Sequence, residues 1–166
     1  DKKGFYWLGR VSHKTANNYQ DPIDGRVYAT NYKETDVTGS FGVNKKWGFS
    51  HLDLSLYDDL QALPDGSRDS ATRKFTKQIT EADTVRPIVP ENELNTYKIP
   101  VLHQHVQHYR ALLANSFNVL NGFLVVNAGF ERSVRREFDH PEYGSIAGLY
   151  LELNTLTYDV RYHLHS

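Results

Sequence analysis

Tyr109-Arg110-Ala111-Leu112-Leu113-Ala114-Asn115-Ser116-Phe117-Asn118-Val119-Leu120-Asn121-Gly122-Phe123-Leu124-Val125-Val126-Asn127-Ala128-Gly129-Phe130-Glu131 reads as two strands folded about a tight turn. Asn121-Gly122 is a hairpin signal, because a type I′ turn needs positive φ at both central residues and Asn and Gly tolerate it. Before the turn, Tyr109, Ala111, Leu113 and Phe117 share one parity, interrupted by Asn115. After it, from Phe123 to Phe138, Leu124, Val126, Ala128, Phe130 and Val134 oppose Asn127, Glu131, Ser133, Arg135 and Glu137. Period two places each set on its own face of a strand.

The pattern extends outward in both directions. From Glu34 to Trp47, Val37, Phe41, Val43 and Trp47 alternate with Glu34, Asp36, Thr38, Ser40, Asn44 and Lys46. Leu52, Leu54 and Leu56 then alternate with His51, Asp53, Ser55 and Tyr57, and Lys46-Trp47-Gly48 is the second tight turn. Phe5, Trp7 and Val11 share a parity near the start, with Tyr6 and Leu8 opposite. Near the end, Leu156, Tyr158, Val160, Tyr162 and Leu164 oppose Thr155, Thr157, Asp159, Arg161 and His163, and the strand pattern runs on to His165. Leu149, Leu151 and Leu153 have the other parity, which predicts a bulge near Asn154.

Six strands follow, joined by connections that alternate between long and short. The long ones are Asn17 to Asn31, Gln61 to Ile99, and Asp139 to Ala147; the short ones are the two tight turns. No segment has helical periodicity over ten residues or more. Several strands exceed the roughly 5–6 residues usual in globular proteins and the roughly 9–11 that cross a bilayer. Tight turns at one end of a sheet and long loops at the other is the layout of outer-membrane barrels. The fold class expected is all-β: an antiparallel up-and-down meander of about six long strands, part of a larger transmembrane β-barrel. Residues 1–166 form one barrel segment in this reading, cut from a longer polypeptide because strands begin and end the chain without a natural stop.

Composition narrows the function classes. A net charge of −1 gives no electrostatic case for nucleic acid. No run of about 18 apolar residues exists for a spanning helix, a test that barrel strands escape. The chain has no cysteine, so disulfides, thiolate catalysis and Cys-ligated zinc are excluded. No Gly-x-Ser-x-Gly elbow, His-Glu-x-x-His or phosphate-cradling glycine loop occurs. Asp58 and Asp59 are neighbours and face opposite sides of a strand, so they do not act as a catalytic pair. No catalytic residue, metal ligand or cofactor is therefore assigned, and a non-enzymatic role is expected.

Two constellations remain. His103 and His105 lie two apart, which in a strand puts both on one face with a spacing that can hold a metal, and His108 follows. With no paired carboxylate at a matching position nearby, they read as polar residues lining a wet face near a strand end. Glu131, Arg135 and Glu137 share one face and Arg132 and Arg136 the other, read as cross-strand charge pairs of about 1 kcal/mol or less each. Arg132 and Arg136 share parity with apolar residues and belong above a lipid-contact zone. The eleven Tyr, eight Phe and two Trp, with Trp47, Tyr57, Phe138 and Tyr158 near strand ends, suggest interfacial girdles. The stretch Gln61–Ile99, with Pro64-Asp65-Gly66, Arg86-Pro87, Val89-Pro90 and Ile99-Pro100, is where ligand contact and proteolytic sensitivity are expected.

Arg86-Pro87, then Tyr97-Lys98-Ile99-Pro100-Val101-Leu102-His103-Gln104-His105-Val106-Gln107-His108-Tyr109, the Asn-Gly hairpin, Asn127-Ala128-Gly129-Phe130-Glu131-Arg132 and Arg135-Arg136-Glu137-Phe138 together resemble the barrel region of TonB-dependent outer-membrane receptors. The resemblance implies uptake of a scarce ligand (a siderophore, cobalamin or an oligosaccharide) across the outer membrane of a Gram-negative bacterium, energised by the TonB complex. Receptors of this family are barrels of about 22 strands with a plugged lumen. The plug domain, the TonB-contacting box and the terminal aromatic strand have no counterpart in these residues, so TonB contact would need the rest of a full-length chain. The resemblance assigns no ligand-binding residue. Outer-membrane lipid is the expected partner, and the isolated segment is expected to self-associate through its open edges. The rival reading is a soluble, lipocalin-like ligand-binding barrel, in which the apolar face points inward. A β-rich glycan hydrolase would need paired carboxylates that the sequence does not supply.

Overall fold

The computed structural model describes residues 4–164; the expectations for Asp1–Lys3 and His165 lie outside the described residues. The chain is all-β. Six long strands, β1 (Phe5–Ala16), β4 (Tyr32–Lys45), β5 (Gly48–Ala62), β6 (His103–Val119), β7 (Gly122–Phe138) and β8 (Leu149–Leu164), form one antiparallel sheet in the order β1-β4-β5-β6-β7-β8. The first long connection carries a small hairpin, β2 (Gln20–Asp21) and β3 (Gly25–Arg26), and the second carries one helical turn, α1 (Glu91–Leu94). Every long strand pairs with its sequence neighbour among the long strands, and β1 and β8 are the edges.

Register turns the alternation into two continuous faces. The row Trp7, Phe41, Leu52, Leu113, Ala128, Tyr158 crosses all six strands on one face, and Gly9, Gly39, Leu54, Ala111, Phe130, Leu156 lies beside it. Together with Val11, Val37, Leu56 and Tyr109 above and Val43, Phe117, Leu124, Val126 and Tyr162 below, they form an apolar belt. The belt drifts across the sheet: its upper edge passes from the row of Val11 to that of Leu156, and its lower edge from the row of Val43 to that of Leu164. Asn115 sits within the belt yet is buried, accepting from Ser50 Oγ (2.6 Å) and donating to the Val126 carbonyl (3.1 Å), so the break in alternation is a satisfied polar pair.

Nothing among the described residues covers this belt. Trp7 is 77 % exposed, Phe41 52 % and Tyr158 83 %, whereas the only buried hydrophobic residues of the long strands are Ala62 and Val134. A water-soluble sheet ordinarily packs one face on a second layer. Here backbone ladders, not a core, hold the strands together.

The opposite face is polar. Ser40 donates to Asp53, His51 Nε2 lies 2.9 Å from the same carboxylate, and Tyr6 Oη lies 2.6 Å from His51 Nδ1. Tyr6 lies across Gly42 so closely that a Cβ there would fall 2.0 Å from its ring.

Three details of the sequence reading are corrected. The register between β7 and β8 runs from Glu137↔Leu149 to Gly122↔Leu164 without a skip, so there is no bulge near Asn154. Leu149, Leu151 and Leu153 instead point to the polar face, paired in register with Glu137, Arg135 and Ser133. The hairpin loop is Leu120-Asn121, closed by Val119↔Gly122, and positive φ falls on Leu120 (52°). Gly122 is needed for space, since a Cβ would lie 2.1 Å from the His163 carbonyl oxygen. Finally, Tyr57 lies on the polar face within β5 and Tyr158 in the middle of β8, so neither marks a strand end.

Candidate functional site

The three long connections gather at the end of the sheet away from the tight turns. Asn18 joins the first to the second: its amide donates to the Leu94 carbonyl (2.9 Å) and its Oδ1 accepts from the Thr30 N–H (2.8 Å). Asn17 Nδ2 donates to Asn95 Oδ1 (2.7 Å), Asn31 Nδ2 to the Lys98 carbonyl (2.8 Å), and Arg68 reaches Asp24 (2.7 Å). The third connection joins them where His140 Nδ1 lies 3.3 Å from Glu81 and where a Cβ on Gly144 would meet Val101.

The second connection, predicted as the contact segment, has its own small core. Phe75 and Val89 are buried, the Arg68 guanidinium lies 4.0 Å above the Phe75 ring, and bridges pair Arg68 with Phe75 and Thr76 with Ile88. It runs between Ala62 and His103, starting two residues after the expected Gln61 and ending three residues after the expected Ile99.

Between these connections lies a cleft of about 400 Å³. Ile79, Leu102 and Pro141 supply apolar wall; Tyr28, Asn31, Asp65, Lys77 and Glu93 supply the chemistry. Lys77 Nζ donates to both Glu93 oxygens at 2.5 and 2.6 Å. Burial, with the nearby carboxylates of Glu93 and Asp65 adding to it, pushes the Tyr28 phenol up to about 12. Asn31 is buried, and its Oδ1 has no hydrogen-bond partner. An apolar-walled cleft with a few placed polar groups is how small-molecule sites are built. Asp65, Lys77, Ile79 and Glu93 fall in the stretch expected to make contact, but their convergence with Tyr28, Asn31 and Pro141 was not legible, because it depends on three loops far apart along the chain.

Two predictions arise here. Asn18→Ala leaves the Leu94 carbonyl and Thr30 N–H without their partner, at a cost of about 1–3 kcal/mol. Tryptic cleavage within residues 63–102 should then accelerate roughly tenfold, since cleavage follows the open population; an unchanged rate would show that Asn18 does not hold the loops. The Tyr28 phenol in the unfolded chain ionises near 10, but in the folded cleft near 12. Between those values the native state binds more protons, so its stability falls as pH rises through that window. A Tyr28→Phe variant should lack the last phenolate to appear in an absorbance titration.

The histidines are distributed rather than clustered. His103 and His105 share a face, as expected, but His103 lies against the Pro100 and Val101 carbonyls and stacks on Phe138 at 4.5 Å. His105 Nε2 lies 2.9 Å from Asp58 Oδ2. That carboxylate corrects the expectation of none nearby: it is 47 residues away in sequence and one register row away in space. His108 points to the other face, 3.3 Å from Glu131. Among the described residues, no three metal-ligating side chains converge.

Asp58 belongs to a polar band bordering the belt on the loop side. Gln107 donates to Asp58 (2.7 Å), Arg136 donates to Gln107 (2.8 Å) and lies over Tyr150, and Arg132 meets Glu152 (3.0 Å). Hydrogen bonds from Tyr150, then Asn154 and Arg132, hold the Glu152 carboxyl at about 2. Arg132 and Arg136 thus stand beyond the belt, and each finds a cross-strand partner. On the polar face Asp59 is held above its usual range by burial and by the adjacent Glu34 and Asp58 carboxylates. No protein-family model, no curated protein and no solved structure matches this chain.

Proposed function

We propose that this chain is a wall section of the β-barrel of a TonB-dependent receptor in the outer membrane of a Gram-negative bacterium, and that the loop cleft contributes to capture of the scarce ligand such a receptor imports. The observation that carries the reading is the uncovered apolar belt, bounded by a paired polar band toward the loops. Nine residues, as from Leu156 to Leu164, at about 3.3 Å each and a tilt near 45° rise roughly 20 Å, close to the roughly 25 Å apolar band of such barrels. The polar opposite face suits a wet or plugged lumen, and the tight-turn and long-loop ends match the two sides of an outer-membrane barrel. The TonB assignment rests on the resemblance of the Arg86–Phe138 segment. Neighbouring strands, from the rest of a receptor or from other copies, would satisfy the two open edges.

The test is gel filtration with light scattering, with and without mild detergent. The proposal expects oligomers or aggregates in buffer that become small detergent-bound particles. A monomer indifferent to detergent would overturn it in favour of a soluble barrel with its apolar face enclosed.

A further inference from the structure

The polar face carries one arrangement that neither the belt nor the cleft uses. Tyr6 on β1, His51 on β5 and Asp53 two residues further along β5 form a chain of contacts. Tyr6 Oη lies 2.6 Å from His51 Nδ1, and His51 Nε2 lies 2.9 Å from Asp53 Oδ1. Period two puts His51 and Asp53 on one face of their strand, while Tyr6 reaches them from across β4. Gly42 permits that reach. It stands between Tyr6 and His51 in register, and the phenol occupies the space a side chain would fill, with Oη 2.3 Å from the Cβ position. On the other side Ser40 donates to the same Asp53 oxygen.

These contacts fix where the protons lie. A carboxylate only accepts, so Nε2 of the neutral imidazole holds the ring proton toward Asp53. Nδ1 then keeps its lone pair for the Tyr6 hydroxyl. A hydroxyl donating to a base that a third group orients is the relation that marks an activated nucleophile. The search for sequence motifs missed it because Tyr6 and His51 are 45 positions apart. A strand added at the open β1 edge would pair with backbone and leave this face free. The polar face is the wet one whether the belt meets lipid or protein, so the arrangement does not rest on the membrane reading.

We propose that Tyr6 is an acyl-accepting nucleophile, with His51 as its general base and Asp53 holding the imidazole, and that its donors are thioesters and activated aryl esters. Oη attacks the acyl carbon, an Oη–C bond forms, and the phenolic proton passes to His51 Nδ1. The bond from the acyl carbon to the leaving sulfur or oxygen breaks, and the leaving group departs with the electron pair. Leaving-group chemistry sets the donor class. A tyrosyl ester forms only from a leaving group less basic than a phenolate (about 10), such as a thiolate (about 8.5).

The experiment treats the protein in mild detergent with p-nitrophenyl acetate and maps acetylated residues by peptide mass spectrometry. Exposure alone would label Tyr19 and Tyr97, each 57 % exposed, ahead of Tyr6 at 40 %. The expected order is the reverse. Tyr6 should be acetylated about 100-fold faster than either, the low end of what a positioned base contributes, with one p-nitrophenolate released per acetyl gained. The preference should vanish in urea, and His51→Gln should bring Tyr6 down to the rate of Tyr97. Tyr6→Phe keeps the ring over Gly42 and should lose the acetyl at that position alone. Acetylation in order of exposure, or a Tyr6 preference that survives His51→Gln, would overturn the assignment. The first comparison uses the unaltered protein, so it stands even where a variant fails to fold.

Discussion

Leu113→Arg should prevent stable folding in a bilayer. Leu113 sits mid-belt on β6, between Leu52 and Ala128 in register, and arginine near the midplane of an outer-membrane barrel costs about 2–4 kcal/mol. The folded-to-unfolded ratio in vesicles should fall roughly 30- to 700-fold, since each 1.4 kcal/mol is a factor of ten. Its neighbour Ala114 points to the polar face, between His51 and Asn127. Ala114→Arg should leave insertion within about twofold of the parent, the scale of a surface substitution of roughly 0.5 kcal/mol or less. In detergent-free buffer the same Leu113→Arg change should reduce aggregation, because it interrupts an exposed apolar surface. An L113R chain that inserts as fully as the parent would mean that this face does not meet lipid. One that unfolds in water would mean that the face is enclosed by protein.

Gly48→Ala should be the most damaging small substitution. Gly48 opens β5 at φ 134°, a region side chains rarely adopt, and a Cβ would stand 1.8 Å from the Ser116 carbonyl oxygen and 3.0 Å from Phe117 Cα. Both obstacles are backbone, so relief requires β6 to move away from β5 at the turn end. Backbone strain of about 1–3 kcal/mol and overpacking of about 1–3 kcal/mol combine to roughly 2–6 kcal/mol. Gly25→Ala separates the two contributions. Gly25 has φ 70° but nothing within 4 Å of where a methyl group would stand, so only the conformational cost of about 1–2 kcal/mol applies, and it falls on the β2–β3 hairpin rather than the sheet. Urea midpoints followed by tryptophan emission should separate the variants in that order. Equal midpoints would show that the turn end yields without resistance.

The local pattern of strands and turns was legible because its cause is local. Side chains alternate with period two along any extended backbone, so Val37–Val43, Leu52–Leu56, Leu124–Phe130 and Leu156–Leu164 declare a belt face without reference to one another. The two tight turns were legible for the same reason, although the residue that carries positive φ in the second was not. Asn-Gly predicted a turn centred one residue late, because closure at Val119↔Gly122 depends on space beside β8 as well as on local torsions.

What the sequence by itself determined is an all-β chain of six long strands with one apolar and one polar side to most of them, connected alternately by turns and long loops. Only the tertiary structure decided how those sides join: that the belts merge across all six strands, that Leu149, Leu151 and Leu153 fall on the polar face without a bulge, that Asp58 meets His105, and that Tyr28, Asn31, Lys77 and Glu93 line one cleft. The physical reason is range. Alternation is fixed by the stereochemistry of adjacent residues, whereas register and loop packing are fixed by hydrogen bonds between residues tens of positions apart, and one step of slip would exchange every side chain between the faces.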